Sequence, residues 1–195
     1  RVGAEPLRTS DPNIIGSAER LILPGQGELG NAIRRIDALG LRDVIIERVN
    51  AGVPLLGICV GLQLLFDRGE ESPDSRLLGL IPGSVPKFPN DMIDPVSGSR
   101  LKIPQMGWNR VEVRRRSPLT ADIDRDAYFY FVHSYYCQPT EPSIASLVVE
   151  YGSITYCAMA ADETGGRRLY ATQFHPEKSQ RAGLQLLQRF IDLPV

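Results

Sequence analysis

The chain has 195 residues, 43% of them hydrophobic, and a formal net charge of −1 from 22 basic and 23 acidic side chains. That size and apolar share suit a single domain over 1–195 with a sizeable core, and the near-neutral balance argues against a nucleic-acid or membrane surface. No apolar run reaches transmembrane length, and three cysteines without paired spacing (Cys59, Cys137, Cys157) point to a reducing, cytoplasmic setting rather than to a disulfide framework or a zinc site.

In chain order, Asp11-Pro12 reads as the cap and first position of a short helix. Arg20 to Leu23 is an apolar strand that breaks into Leu23-Pro24-Gly25-Gln26-Gly27. This loop is either an ordinary Pro-Gly turn or, because its glycines let amides point inward, a place for developing negative charge. Leu29 to Leu39 and Leu41 to Ala51 carry apolar residues at helical spacing (Ile33, Ile36; Val44, Ile45, Val49), and the second stops at Gly52.

The apolar run Val53-Pro54-Leu55-Leu56 then enters Gly57-Ile58-Cys59-Val60-Gly61, and Leu62 to Phe66 reads as helix. A strand that turns sharply into a helix lifts the turn residue's side chain out of the backbone and aims it at solvent. Unpaired N–H groups and the dipole at the helix start favour a thiolate there, and the flanking glycines leave room for the turn and for a substrate. Taken alone, the pentapeptide is equally a small buried cysteine in a strand-to-helix junction.

Downstream, Ser84 to Phe88, Leu101 to Ile103 and Trp108 to Arg114 read as hairpin-like strands, and Pro89 to Arg100, rich in Asp, Pro, Gly and Ser, as a surface loop. Ala127 to Tyr136 is an aromatic strand that ends at His133 and Ser134, which suit a pocket wall better than catalysis. Ser143 to Tyr151, Ile154 to Ala160 and Arg168 to Phe174 are further strands. Gln180 to Ile191 is an amphipathic helix expected to bury Leu184, Leu187 and Phe190.

A cysteine nucleophile needs a base, and the chain holds only two histidines, His133 and His175. His175 lies in Gln173-Phe174-His175-Pro176-Glu177-Lys178, at a strand end fixed by proline. Glu177, two residues on, projects to the same side of an extended segment, so its carboxylate can hold one imidazole nitrogen while the other faces the thiol. On its own, His-Pro-Glu is more ordinarily a surface turn; beside an elbow cysteine it completes Cys59, His175 and Glu177 as nucleophile, base and orienter. The N–H of Val60 and those of the Gln26-Gly27 loop are then the candidate oxyanion donors.

Gly57-Ile58-Cys59-Val60-Gly61-Leu62-Gln63 with Phe174-His175-Pro176-Glu177 resembles the class I (triad) glutamine amidotransferases. Leu21 to Gly27, Gly79 to Gly83, Met106 to Asn109, Tyr128 to Tyr135 and Gln173 to Gln180 narrow the resemblance to the glutaminase subunits of imidazole glycerol phosphate synthases, over nearly the whole chain. The resemblance implies an α/β fold with an open, mostly parallel, flavodoxin-like sheet flanked by helices and an added small antiparallel sheet. It implies hydrolysis of glutamine through a Cys59 thioester, without cofactor or metal, and delivery of ammonia to a β/α-barrel cyclase subunit in histidine biosynthesis. Gly25, Gln63, Ser134 and Tyr135 are similar to glutamine contacts, and Lys178, Trp108, Asn109 and Gln105 to residues at the partner interface.

Two positions depart from the pattern: Gln105 stands where the family usually has His, and Gln26 where a small apolar residue is usual, which bears on the tightness of coupling to the partner. The family's first strand and helix have no counterpart ahead of Arg1-Val2-Gly3-Ala4-Glu5-Pro6-Leu7, so a truncated chain is the expectation, with a changed strand order as the alternative. Three other functions stay open: a glutaminase serving another acceptor such as a sugar, a stand-alone γ-glutamyl hydrolase, and an inactive partner-binding module.

Overall fold

The computed structural model describes residues 2–194. Its elements run α1 (Pro12–Ser17), β1 (Leu21–Gly25), α2 (Leu29–Ala38), α3 (Leu41–Asn50), β2 (Leu55–Cys59), α4 (Val60–Gln63), β3 (Arg68–Gly69), β4 (Gly83–Val85), β5 (Gln105–Arg110), β6 (Glu112–Val113), β7 (Tyr128–His133), β8 (Gln138–Pro139), β9 (Ala145–Tyr151), β10 (Ile154–Asp162), β11 (Leu169–Thr172) and α5 (Gln180–Ile191). Asp11 caps α1 by accepting from the Asn13 N–H at 2.8 Å.

The main sheet has the order β1-β2-β11-β10-β9-β6. The expected α/β class holds, but the sheet is mixed: β1, β2 and β11 are parallel, while β11, β10, β9 and β6 pair antiparallel. The short connections joining β9, β10 and β11 leave no room for the crossover a parallel pair needs. Alternate residues of the sheet feed two apolar layers, Leu55, Leu169 and Val148 on one face and Leu56, Tyr170, Leu147 and Val149 on the other. Two small sheets, β3-β4-β8 and β5-β7, stand beside it.

Several expected elements differ. The helix after Cys59 begins at Val60 and ends at Gln63, a turn earlier than the apolar spacing suggests, because Leu64, Leu65 and Phe66 turn into the core and their carbonyls accept from the N–H groups of Leu78 to Ile81. Leu101 to Ile103 forms no strand; Leu101 donates back to Met92 within the loop. Trp108 to Arg114 splits, with β5 pairing to β7 and β6 to β9. In α5 the buried stripe is Gly183, Leu186 and Phe190, not Leu184 and Leu187, because Gly183 seats the helix against the Pro176 carbonyl, where any Cβ would collide.

Candidate active site

The parallel strands β1, β2 and β11 deliver three chain segments to one end of the sheet, the place where α/β folds bind ligands. Gly25 stands opposite Cys59 in the ladder, and Thr172 stands opposite Ile58, so the turns after them bring Gly25 to Gly27, Cys59 and Gln173 to His175 together. Cys59 has φ 55° and ψ −108°, a strained backbone for a non-glycine residue that supports the expected elbow. Gly57 and Gly61 of the elbow, with Gly25 of β1, leave room for the close backbone crossing at this turn. A Cβ on Gly25 would meet the Gly61 nitrogen, one on Gly61 would meet the Leu23 carbonyl, and one on Gly57 would lie 3.0 Å from Ala171 Cβ.

A cavity of about 420 Å³ opens at this end. Gly25, Gln26, Gly27, Cys59, Val60, Gln63, Ser134, Tyr135, His175 and Lys178 all line it, so it gathers residues from across the sequence. Cys59 is only 6% exposed and faces this cavity rather than open solvent. His175 Nδ1 and Glu177 Oε1 are 2.7 Å apart, and the ring's remaining nitrogen is left for the cysteine. The Cys59 hydrogen bond, then that of Glu177, raises the His175 pKa to about 9 against the opposing effect of burial. Burial works to raise the Glu177 carboxyl, but the His175 hydrogen bond, its own backbone N–H and the charges of His175 and Lys178 hold it below the ordinary carboxylate value.

The His175 loop is clamped to β7. His175 N–H donates to the Tyr130 carbonyl at 3.0 Å, and the Ser179 hydroxyl accepts from Tyr130 N–H while donating to the His175 carbonyl. His133 stays a wall residue: Nδ1 lies 2.8 Å from the Tyr135 carbonyl and Nε2 3.2 Å from the Tyr156 hydroxyl. Burial pushes its pKa down to about 4, against the Tyr135 hydrogen bond, so the ring is neutral at pH 7.

The expected interface residues divide. Trp108 is 44% exposed on β5 beside exposed Met106, and Lys178 extends over the Tyr130 ring at 5.9 Å. Gln105 is buried beneath this face, with its side-chain amide 2.9 Å from both the Tyr156 hydroxyl and the Asn109 amide, so it can support an interface only from below. Two residues escaped sequence reasoning. Glu71 lines the cavity while accepting from the Leu29 N–H at 2.7 Å, and its only signal is an acidic pair, Glu70-Glu71, soon after the elbow. Gln173, fully buried, turns its amide to Cys59 Sγ at 3.9 Å.

The family description Glutamine amidotransferase class-I matches residues 4–193. The protein named imidazole glycerol phosphate synthase subunit HisH from Syntrophotalea carbinolica is 40% identical over 193 residues, covering 99% of this chain and 90% of that protein. That of Nitrosomonas europaea is 44% identical over 183 residues, covering 94% and 83%. A crystal structure of a glutamine amidotransferase superposes with a TM-score of 0.70 at 18% identity, over 98% of this chain and 87% of that one, which is likeness of fold. The chain therefore belongs to the class I glutamine amidotransferase family and, within it, to the HisH subunits of imidazole glycerol phosphate synthase.

Proposed function

We propose that this glutamine amidotransferase, as one domain, hydrolyses glutamine and passes ammonia to a β/α-barrel cyclase subunit of imidazole glycerol phosphate synthase in the cytoplasm. The observation that carries the chemistry is the His175 ring held between the Glu177 carboxylate, at 2.7 Å, and Cys59 at the cavity floor. With its pKa raised to about 9, His175 is the base that takes the Cys59 proton, leaving a sulfur anion beside an imidazolium for the attack. The sulfur attacks the side-chain amide carbon, and the oxygen's charge is met by N–H groups of Val60 and the Gln26-Gly27 loop, each such donor contributing about 3 kcal/mol. The imidazolium gives its proton to the leaving nitrogen, and ammonia departs from a glutamyl thioester. Neutral His175 then takes a proton from water, which attacks the thioester and releases glutamate with the thiolate restored.

Gly25, Gln63, Ser134 and Tyr135 hold the substrate's polar end, and the Glu71 carboxylate suits its ammonium group. Ammonia released into bulk water would protonate and diffuse away, so a partner covering the cavity mouth beside Trp108, Asn109 and Lys178 serves a physical purpose. The test is to co-purify the chain with the synthase barrel and assay imidazole glycerol phosphate with glutamine as nitrogen source. Weak glutaminase activity alone that rises strongly with the barrel and its ligand is expected, together with labelling of Cys59 by a glutamine-like diazo ketone. Full activity without the barrel, or no labelling in the complex, overturns the proposal.

A further inference from the structure

The mechanism above leaves Gln173 without a role, yet its side chain is fully buried and met on three sides. Gln63 Nε2 donates to Gln173 Oε1 at 3.3 Å, the Cys137 thiol donates to the same oxygen at 3.6 Å, and Gln173 Nε2 donates to Cys59 Sγ at 3.9 Å. The polarity of this chain is set at its far end. The Tyr135 carbonyl can only accept, so Gln63 must turn its NH2 group to it, at 3.2 Å, and the second N–H of that group is the one that reaches Gln173. Burial, then the nearby Cys157 and Cys59, raises the Cys137 pKa well above that of a free thiol, so Cys137 stays a protonated donor. With its oxygen engaged by two donors, Gln173 can offer the sulfur only N–H.

We propose that Gln173 is a further residue of the reacting centre: its amide donates to the Cys59 sulfur, holds it as a thiolate facing the cavity, and ties it to Gln63, the substrate contact. This rests on the reading of Cys59 as nucleophile. A donor aimed at sulfur favours its anion, and a buried amide locked at the other end gives that donor one direction.

The test uses the complex with the barrel subunit and follows alkylation of Cys59 by iodoacetamide against pH, read by intact mass. Gln173→Met keeps the side-chain length and removes the donor. It is expected to move the acid limb of the alkylation profile to higher pH, to slow alkylation at pH 7 by about tenfold, and to lower kcat while KM stays within about twofold. Cys137→Ala, which touches only the amide oxygen, is expected to leave the acid limb in place. An unmoved limb in Gln173→Met, or an equal displacement in Cys137→Ala, overturns the proposal. Should the Met variant not fold, the side-chain amide signal of Gln173 in the 15N-labelled wild-type chain must shift together with Cys59 titration, and a stationary signal overturns it. Failure of wild-type Cys59 to react with iodoacetamide or the diazo ketone would instead remove the nucleophile assignment beneath it.

Discussion

At the scale of single residues, the two histidines sit in opposite electrostatic settings and should mark opposite ends of the pH range. His175 is raised from 6.5 to about 9, by Cys59 first and Glu177 second. Its contribution to stability is therefore complete below pH 6.5 and is lost as pH rises through 9. His133 is lowered from 6.5 to about 4 by burial, so a destabilising contribution sets in as pH falls from 6.5 towards 4. Urea midpoints measured from pH 4 to 10 should fall at both ends, with His175→Asn flattening the alkaline arm and His133→Asn the acid arm. Glu177→Gln keeps a hydrogen-bonding group but removes the charge, so the His175 titration followed by NMR should move below 9 and kcat should drop about 10²-fold. An unmoved His175 titration would show that the carboxylate does not hold the ring.

At the scale of elements, the site depends on how closely α4 crosses beneath β1. Gly61→Ala drives a Cβ into the Leu23 carbonyl, and urea unfolding should register a loss of about 1–3 kcal/mol along with glutaminase activity. Gly27 offers the contrast: nothing lies within 4 Å of its would-be Cβ, but its φ of 86° disfavours any side chain. Gly27→Ala should therefore cost only about 1 kcal/mol of stability while disturbing a loop that lines the cavity. Equal loss of stability in the two variants would contradict this division. Much at this scale was legible in the sequence. Helix α5 spans the residues its periodicity suggests, and the Asp11 cap is in place. What spacing could not foresee was the rotation of α5, set by the contact between Gly183 and the Pro176 carbonyl, or the early end of α4, set by the segment from Leu78 to Ile81.

At the scale of the whole molecule, β7, whose Val132 lines the cavity, pairs with β5, and this pair carries Met106, Trp108 and Tyr128, large apolar side chains left 64%, 44% and 53% exposed. Such surface on a chain whose relatives are named as subunits of a synthase suits a partner. Trp108 is the one tryptophan in the sequence, so intrinsic fluorescence reports on this face alone. Titration with the barrel subunit should shift its emission to the blue as water leaves the indole, and Trp108→Ala should weaken association by about 1–3 kcal/mol. Unchanged emission at saturating barrel would place the interface elsewhere. Among the described residues no helix is long and apolar enough to cross a membrane.

Cys59, His175 and Glu177 could be proposed from the sequence because two short motifs, each ordinary alone, reinforce one another in a chain with two histidines: a glycine-flanked strand-to-helix turn, and an imidazole and a carboxylate either side of a proline. Chemistry of that kind is short-range, and so is the helical periodicity of α2 and α3. Only the tertiary structure decided the mixed sheet, the burial of Gln105, the entry of Glu71 and the amide chain from Tyr135 through Gln63 and Gln173 to Cys59. Gln173 stands 110 residues from Gln63 and 114 from Cys59 in the chain. Contacts at such separations follow from strand order and close packing, which leave no period, spacing or composition behind in any local stretch of sequence.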